Sequence, residues 1–355
     1  MAEDFIFKEL LDLSEKVKSA HDMPEELRHK IEGMLDRLNR MAKIGGYSEA
    51  YDTLSRYIDL VVTIPWGKKT VDSLDLPLTK KLLDERHFGL DEVKVRIQEY
   101  LSTAILKSRD GQSGIAKAPI ILFVGLQGIG KTTFAISLAD ALNRKFVRIA
   151  MGGIGSVLEL RGRSKVFPEA EPGQIVKALV KSQVMNPLIL LDEIEKASGD
   201  TGVRSDIMAT LLEILDPNQN HSFRDHYLDY PLDLSQVLFV CTANGLGTLT
   251  AALLDRMEII KMPAYTDFEK ESIARDYLLP KVMQNAGLSK EELVIDPNLW
   301  SGIIRPLGFD SGIRSLNRAL EAIARKAAME IVEGKTKSVF INAQNLKDYL
   351  PKTTI

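Results

Sequence analysis

Cysteine is almost absent from this sequence. The one cysteine among 355 residues, Cys241, lies in an apolar run, so we expect a small buried core residue rather than a nucleophile. A framework of disulfide bonds is excluded, which fits a reducing compartment. The first residues are acidic and lack an apolar signal core, and no apolar run is long enough to cross a bilayer. These absences predict a cytoplasmic protein without a membrane partner.

Long blocks of one charge are lacking too. The formal net charge is −3, which argues weakly against a dedicated nucleic-acid-binding protein. Internal repeats and low-complexity segments are also missing from the sequence. The hydrophobic content of 45% is ordinary for a globular protein, and the length suggests two or three domains.

A phosphate-binding loop is the strongest motif that is present. The apolar run 120–124 precedes the spacing Gly-x-x-x-x-Gly-Lys-Thr, and a helical pattern follows it. Glycines let backbone N–H groups approach an anion, and the helix that starts at Lys131 points its positive end at the same place. Lys131 would reach the β- and γ-phosphates of ATP, and the Thr132 hydroxyl would bind Mg²⁺. A chance glycine-rich turn is the alternative, which the flanking strand and helix disfavour. The predicted ATP-binding residues of the loop are Gly125, Leu126, Gln127, Gly128, Ile129, Gly130, Lys131, Thr132 and Thr133.

Two acidic residues end a second apolar run. Asp192 and Glu193 follow the run 187–191, and open α/β sheets bind ligands at the carboxyl ends of their strands. Asp192 would hold Mg²⁺ directly or through water, and Glu193 would position and polarise the attacking water. An acidic strand end at a solvated loop is the alternative interpretation.

Three further polar residues are candidates for the catalytic set. Asn244 ends the next apolar run, where its amide could orient the water. The alternative interpretation, that this asparagine only turns the chain, carries serious weight. Arg256 and Arg314 are candidate stabilisers of charge at the leaving phosphate, a role that is worth about 10³-fold in rate or more. Taken singly, each arginine is more often a surface residue.

Apolar runs that alternate with helical patterns predict a parallel sheet covered on both faces. We expect strands at 120–124, 146–149, 188–191, 237–240 and 259–260. A helix is expected near 90–106, and residues 1–65 carry an apolar stripe that predicts packed helices rather than a long coiled coil.

The last part of the chain again has a helical pattern, from Thr266 to about residue 350. Capping-box spacing occurs at Thr266 with Glu269 and at Ser289 with Glu292. An N-cap is expected at Asp296, and a long amphipathic helix is expected over 313–332. This part is therefore predicted to be a small, mostly helical domain.

Taken in order, these motifs resemble the AAA+ ATPase portion of the Lon protease family. The resemblance extends from about residue 50 to 350, and its motifs are specific to Lon proteins rather than to AAA+ proteins at large. The matching segments are Gly89-Leu-Asp-Glu-Val-Lys94, Phe146-Val-Arg-Ile-Ala-Met-Gly-Gly153, Leu191-Asp-Glu-Ile194, Leu211-Leu-Glu-Ile-Leu-Asp-Pro217, Phe223-Arg-Asp-His-Tyr-Leu228, Leu254-Asp-Arg-Met-Glu258 and Gly312-Ile-Arg-Ser-Leu316.

The resemblance implies a fold and a domain order. The fold is an α/β P-loop AAA+ module, a parallel sheet flanked by helices, with a small helical lid domain and a preceding N-terminal helical segment. The implied domains are the N-terminal helical segment at 1–66, the large nucleotide-binding domain at 67–265, the small helical domain at 266–350 and the start of a linker at 351–355.

The resemblance also implies residue roles, cofactors and partners. Arg256 resembles the finger that reaches the nucleotide of the neighbouring subunit, and Arg314 resembles the sensor of the small domain. The family forms hexameric rings that hydrolyse ATP with Mg²⁺ and act on unfolded or damaged polypeptide, and Lon-like proteins can also bind DNA. The residues that resemble the surroundings of the adenine are His87, Phe88, Gly89, Leu90 and Tyr265.

Three features depart from the family. The chain stops at residue 355, where the family continues into a domain with a serine–lysine dyad, so we expect no proteolytic site in this chain. The pore loop has Phe167-Pro168-Glu169 in place of an aromatic-aliphatic-glycine element. Phe167 could still grip polypeptide, although Pro168 stiffens the loop and Glu169 adds charge, and a packed phenylalanine is an equal alternative. A second pore-facing loop is expected over 199–206, with Arg204-Ser-Asp206 where the family has Gly-Asp-Pro.

Three functions remain open at this point. The first is the ATP-driven motor of a Lon-like ATP-dependent protease, which threads polypeptide through a hexameric pore. The second is a protease-independent module that binds nucleotide and recognises or remodels a partner through residues 1–65. The third is a nucleic-acid motor of the AAA+ class, against which the mild acidity of the chain argues.

Overall fold

The computed structural model describes residues 2–45, 48–109, 120–167, 169–197, 201–305 and 313–351. The chain divides into two compact units. Unit 1 comprises residues 1–82, 95–124 and 135–260, and unit 2 comprises 83–94, 125–134 and 261–355. The predicted domain boundaries at residues 66, 265 and 350 stay predictions. The described residues contain no helix that is both long enough and apolar enough to cross a membrane.

The helices are α1 (Ala2–Ser19), α2 (Glu25–Gly45), α3 (Glu49–Thr63), α4 (Leu76–Arg86), α5 (Asp91–Arg109), α6 (Lys131–Ala141), α7 (Val157–Arg161), α8 (Gln174–Ser182), α9 (Thr201–Leu215), α10 (Ala251–Leu254), α11 (Asp267–Ile273), α12 (Leu279–Asn285), α13 (Trp300–Ile304), α14 (Arg314–Val332) and α15 (Leu346–Tyr349). The strands are β1 (Ile120–Val124), β2 (Phe146–Ala150), β3 (Leu188–Asp192), β4 (Phe223–Arg224), β5 (Pro231–Leu232), β6 (Leu238–Ala243), β7 (Met257–Lys261), β8 (Leu293–Ile295) and β9 (Val339–Ile341).

Helices α1, α2 and α3 pack against one another at the start of unit 1. The apolar stripe of α2 is buried, and its residues Leu27, Ile31 and Leu38 are 0% exposed. These side chains belong to the same apolar core as the residues of the sheet. The predicted packed N-terminal helices are therefore confirmed, because an amphipathic helix gains most of its stability by burying its apolar face.

A five-stranded sheet has the strand order β2-β3-β6-β1-β7. The pairs β2–β3, β3–β6 and β6–β1 are parallel, and every residue of β3 is buried, as expected of strands covered by helices on both faces. All five predicted strands are present. Cys241 lies in β6 with no exposed surface, and burial raises the pKa of its thiol, which agrees with a core residue.

Helix α9 corrects most of the prediction of a second pore-facing loop over 199–206, of which residues 199 and 200 lie outside the described residues. The helix begins at Thr201, so Arg204 and Asp206 lie on its first turns rather than in a loop. The Arg204 guanidinium donates to the carbonyl oxygen of Glu195 at 2.8 Å, which ties this turn to the end of the β3 segment. The sequence did not predict this helix because its first residues include a glycine and several polar side chains, and most of its apolar residues come later.

The lid region of unit 2 follows the predicted pattern only in part. The capping box at the start of α11 is present, because Thr266 and Glu269 satisfy each other's backbone N–H groups. The capping box predicted at Ser289 is wrong: Glu292 accepts from the Ser289 N–H at 2.6 Å, but the two residues close a turn that leads into β8. The chain extends there because β8 pairs in parallel with β9 and buries alternate residues.

The other two expectations for this region are confirmed. Asp296 accepts from the N–H of Asn298 and caps a 3-10 turn over Pro297–Leu299, directly before α13. The long amphipathic helix is α14, which buries Leu316, Leu320 and Ile323 in the core of the lid.

Candidate nucleotide-binding site

The predicted phosphate loop runs from the residue after β1 to the start of α6. Gly128 and Gly130 have φ values of 85° and 98°, which residues with side chains rarely adopt. A Cβ at Gly125 would lie 2.2 Å from Cδ1 of Ile129 and 2.5 Å from the carbonyl oxygen of Met262. The loop therefore requires glycine at these positions, and this backbone fits a cradle in which N–H groups approach a phosphate.

Lys131 begins α6 and is turned back over the loop. Its ammonium group donates to the carbonyl oxygens of Gly125 at 2.6 Å and Leu126 at 3.0 Å, and the residue is only 7% exposed. The next residue, Thr132, is partly exposed at the first turn of the helix. A buried cation at a helix N-terminus suits a phosphate ligand, since the helix end and the ammonium group both favour negative charge.

Two residues from later in unit 2 lie against the same loop. The N–H of Ile313 donates to the carbonyl oxygen of Gly128 at 3.1 Å, so α14 begins beside the loop with the exposed Arg314 as its first residue. The Tyr265 hydroxyl donates to the carbonyl oxygen of Ile129 at 3.2 Å. Burial raises the pKa of Tyr265 to about 12, which keeps its hydroxyl protonated.

His87 lies against the helix that follows the loop. Its ring stacks on Phe134 of α6, with 3.7 Å between the ring centroids and 26° between the planes. Burial lowers the pKa of His87 to about 4, and the cations of Lys94 and Arg86 act in the same direction. The imidazole is therefore neutral near pH 7, as suits a side chain that packs against flat, uncharged rings.

The three residues after His87 turn the chain toward α5. Phe88 meets Tyr277 edge-on, with 6.4 Å between the centroids. Gly89 and Leu90 have φ values of 62° and 54°, and a Cβ at Gly89 would lie 2.9 Å from Oε1 of Glu269. Unit 2 therefore gathers the phosphate loop, Tyr265 and the segment 87–90, which the resemblance had placed around one nucleotide.

Asp192 occupies the carboxyl end of β3, in unit 1. The Thr242 hydroxyl on β6 donates to one of its oxygens, and Nε of Arg148 on β2 donates to the other at 2.7 Å. Mg²⁺ is commonly held in proteins by one or two carboxylates together with phosphate oxygens, so a single carboxylate here fits that ion. No group of three or more His, Cys, Asp and Glu side chains that could hold a metal occurs in the described part of the chain.

Glu193 directly follows in a left-handed conformation, with φ 58° and ψ 54°. Its N–H donates to the Thr242 hydroxyl at 2.8 Å, and its carboxylate lies 2.9 Å from Nζ of Lys196 and 3.5 Å from Nδ2 of Asn244. The hydrogen bond from Lys196 is the main cause that lowers the pKa of Glu193, with a smaller contribution from Asn244. Asn244 also donates to Glu195 at 2.6 Å, so its amide links two carboxylates.

Thr242, Arg148, Lys196 and Glu195 were not among the predicted site residues. Thr242 stands opposite Asp192 because Leu191 pairs with Cys241, and this register is a long-range property. Lys196 could have been identified from the sequence, since a lysine three residues after a glutamate is a common local ion pair.

Arg256 is held by contacts within its own chain. Its Nη2 lies 3.2 Å from Oδ2 of Asp216, and its Nη1 donates to the carbonyl oxygen of Ala252 at 2.7 Å. The Asn218 N–H, above all, lowers the pKa of Asp216, and Arg256 adds to that effect. The side chain of Arg256 is still 38% exposed, which leaves the guanidinium accessible.

Phe167 is 57% exposed, whereas the adjoining Pro168 lies outside the described residues. Glu169 forms an ion pair with Arg163 at 2.7 Å, which offsets the negative charge that it brings to the predicted pore loop. The base of this loop is fixed where the N–H of Gly173 donates to the buried Asp225 at 2.7 Å. The structure therefore places Phe167 at the surface rather than in the core.

Comparison with known proteins connects the site to one family. The model of the "ATPase family associated with various cellular activities (AAA)" matches residues 121–263, and that of the "Lon protease AAA+ ATPase lid domain" matches 284–339. Lon protease 1 of Bacillus subtilis (strain 168) is 43% identical over 344 residues, which are 97% of this chain and 43% of that protein. The Lon protease of Heliobacterium modesticaldum is 42% identical over 339 residues, or 96% of this chain and 40% of that protein.

A third relative, the Lon protease of Halothermothrix orenii, is 40% identical over 329 residues, covering 93% of this chain and 41% of that protein. The chain spans about two fifths of the length of these curated relatives. The resemblance seen in the sequence motifs is confirmed by these matches, which run through both the nucleotide-binding domain and the lid. This chain therefore belongs to the Lon protease family, and it corresponds to the AAA ATPase region of that family with its lid.

Proposed function

We propose that this chain is the ATP-hydrolysing motor of a Lon-like ATP-dependent protease, which unfolds polypeptide and translocates it through the pore of a hexameric ring. The observation that carries the proposal is the phosphate loop, in which Gly125 has no room for a side chain and the ammonium group of the buried Lys131 donates to the carbonyl oxygens of Gly125 and Leu126. The protein would act in the cytoplasm, and its single buried cysteine suits that reducing compartment.

The binding of ATP would use groups that lie close together in unit 2. Backbone N–H groups of the loop and the Lys131 ammonium group would bind the phosphates, and the segment 87–90 with Tyr265 would surround the adenine. Mg²⁺ would be held by Asp192 and the Thr132 hydroxyl together with phosphate oxygens, and it would neutralise charge on the phosphates. Lys131 would exchange its two carbonyl partners for phosphate oxygens, which are stronger acceptors.

Hydrolysis would depend on Glu193 as the general base. Its carboxylate is ionised at neutral pH, as a glutamate normally is, and the hydrogen bond from Lys196 lowers its pKa further, so it can accept a proton from water. Asn244, 3.5 Å away, would orient that water. Arg256 of a neighbouring subunit and Arg314 of the lid would stabilise the charge that develops on the phosphates.

Lys131→Ala is expected to weaken the binding of MgATP by about 100-fold, because charge-assisted hydrogen bonds to the phosphates are lost. Isothermal titration calorimetry with a slowly hydrolysed ATP analogue measures this change. Lys145→Ala, which removes an exposed lysine from the residue before β2, is the matched control and should bind as the wild type does. Equal affinity in the Lys131→Ala and wild-type proteins would contradict the proposed phosphate site.

Phe167→Ala is expected to abolish the stimulation of ATP hydrolysis by an unfolded polypeptide, because a grip on variable sequences depends on apolar contact with an exposed ring. The measurement is the ratio of the ATPase rate with an unfolded protein to the rate without it. Phe167→Leu should retain most of the stimulation. Phe340→Ala removes a ring of nearly equal exposure, 53%, from the lid and should leave the ratio unchanged. A wild-type ratio in Phe167→Ala would mean that this side chain does not grip substrate.

A further inference from the structure

A groove of about 500 Å³ lies within unit 1, between the N-terminal helices and the segment that leads into the predicted pore loop. One wall is formed by α2 and α3, and the other wall is formed by residues 165–167. Its larger apolar lining residues are Met34, Met41, Leu54, Tyr57, Val166 and Phe167. Two methionines and the exposed ring of Phe167 give a surface that can adapt to apolar side chains of different shape.

Basic side chains border the groove from both walls. On α2, Lys30, Met34, Arg37 and Met41 recur at helical spacing and so share one face of the helix. Across the groove, Nζ of Lys165 lies 4.3 Å from the centroid of the Tyr57 ring, a cation–π contact. Arg37 and Lys165 line the groove itself, and Lys30 lies one turn before Met34.

These cations are not neutralised within the part of the chain that is described. No described carboxylate is within 4 Å of Lys30, Arg37 or Lys165 in an ion pair, whereas many surface lysines and arginines of the chain have such a partner. Burial lowers the pKa of Lys165, and Lys30 adds to this effect, while Asp229 opposes it. Glu49 is the one acidic residue of the described lining, so the groove carries a net positive charge.

We propose that this groove binds an apolar segment of polypeptide that carries an acidic residue, and that it does so before the segment reaches the pore. The proposal rests on the polypeptide-translocating function above and names a sequence class that this motor prefers. Apolar side chains of the segment pack on Met34, Met41 and Leu54, while its carboxylate pairs with Arg37 and Lys165. Phe167 lies on the groove and is exposed, so a segment bound there lies directly beside the residue proposed to grip it.

A single-stranded nucleic acid fits this groove less well. Bases bind to such proteins by stacking on the faces of aromatic rings. Tyr57 is 1% exposed, and Lys165 covers a face of its ring, so Phe167 is the one aromatic ring of the described lining on which a base could stack. Glu49 would also repel a phosphate backbone at one end of the lining.

The test compares two fluorescein-labelled peptides that differ only in charge. Both are extended, rich in leucine and phenylalanine and equally long, and one carries glutamate where the other carries glutamine. Fluorescence anisotropy with the full chain and without nucleotide should show about 10-fold tighter binding of the glutamate peptide. The preference should decline as salt is raised, because exposed ion pairs are screened.

Three variants locate the site. Arg37→Gln should reduce the preference for the glutamate peptide by roughly 3-fold, whereas Arg40→Gln, an exposed residue of α2 outside the groove, should preserve it. Val166→Glu places a carboxylate on the rim and should weaken binding of the glutamate peptide by about 10-fold. Its control, Val332→Glu, changes a residue of the lid with similar exposure, 87% against 78%, and should bind normally.

Each contrary result is decisive for the groove. Equal affinity for the two peptides, or wild-type preference in Arg37→Gln, would overturn the proposal. Displacement of the bound peptide by a single-stranded oligonucleotide that itself binds more tightly would assign the groove to nucleic acid instead. Lys131→Ala should still bind the peptide, because the groove does not include the phosphate loop. If the wild type binds MgATP normally but does not bind the peptide, the proposed peptide site is wrong and the proposed motor function is unaffected. If the wild type binds the peptide but does not bind MgATP, only the proposed motor function is wrong.

Discussion

Glu193→Gln is expected to reduce the rate of ATP hydrolysis by at least about 100-fold while MgATP still binds with wild-type affinity. The amide has the size of the carboxylate but cannot accept a proton from water. It can still accept hydrogen bonds from Lys196 and Asn244, so the shape of the site is preserved. Steady-state phosphate release measures turnover, and calorimetry with an ATP analogue measures binding.

Glu195→Gln is the control for this experiment. The carboxylate of Glu195 also accepts a hydrogen bond from Asn244, at 2.6 Å from its Nδ2. Its replacement perturbs the orientation of Asn244 without removing the base, so we expect less than about a 10-fold loss of turnover. The reverse order of the two effects would identify Glu195 as the base. Equal turnover in Glu193→Gln and the wild type would remove the base assignment altogether.

Arg256→Ala is expected to reduce turnover by about 10³-fold, because a guanidinium at the leaving phosphates stabilises the charge that develops there. If the residue acts on the nucleotide of a neighbouring subunit, two inactive variants should restore activity when they are mixed. In rings formed from equal amounts of Arg256→Ala and Glu193→Gln subunits, about one quarter of the sites would combine an intact base with an intact finger, as random placement in a head-to-tail ring requires.

If equal amounts of Arg256→Ala and Glu193→Gln subunits have no activity in rings that are shown to exchange subunits, Arg256 does not act on the nucleotide of a neighbouring subunit.

The contacts of Arg256 within its own subunit make this test informative. Asp216 and the carbonyl oxygen of Ala252 hold the guanidinium in one place, so the residue is positioned before any neighbour approaches. Arg148→Ala is a useful comparison, since Arg148 binds Asp192 of its own subunit and its variant should not complement Glu193→Gln.

The main elements of the fold were predictable because their signals are local. The five predicted strands form one sheet, three of them from continuous apolar runs, and the predicted helical stripe of α2 is buried. The turn at Ser289 was mistaken for a helix start because the same serine-to-glutamate hydrogen bond also closes a turn. Pairing with β9, which lies more than 40 residues away, decided in favour of a strand.

The predicted pore loop also has contacts that the sequence did not predict. From composition, Glu169 adds an unfavourable charge, and Phe167 is equally consistent with packing and with gripping. The fold pairs Glu169 with Arg163 and leaves Phe167 exposed. Neither outcome follows from a short-range pattern. The segment folds back so that the N–H of Arg163 donates to the carbonyl oxygen of Glu171 at 2.8 Å, and the buried Asp225 accepts from the N–H of Gly173 from more than 50 residues away.

Consecutive residues were sufficient to identify the phosphate loop, the acidic end of β3 and the family, because the backbone requirements of glycine and the ends of apolar runs are properties of neighbours in the chain. The partners of Asp192, the basic groove beside Phe167 and the ion pair of Arg256 with Asp216 emerged only after folding. They depend on strand register and on the approach of segments that are 40 to more than 100 residues apart, and no short-range pattern encodes those distances.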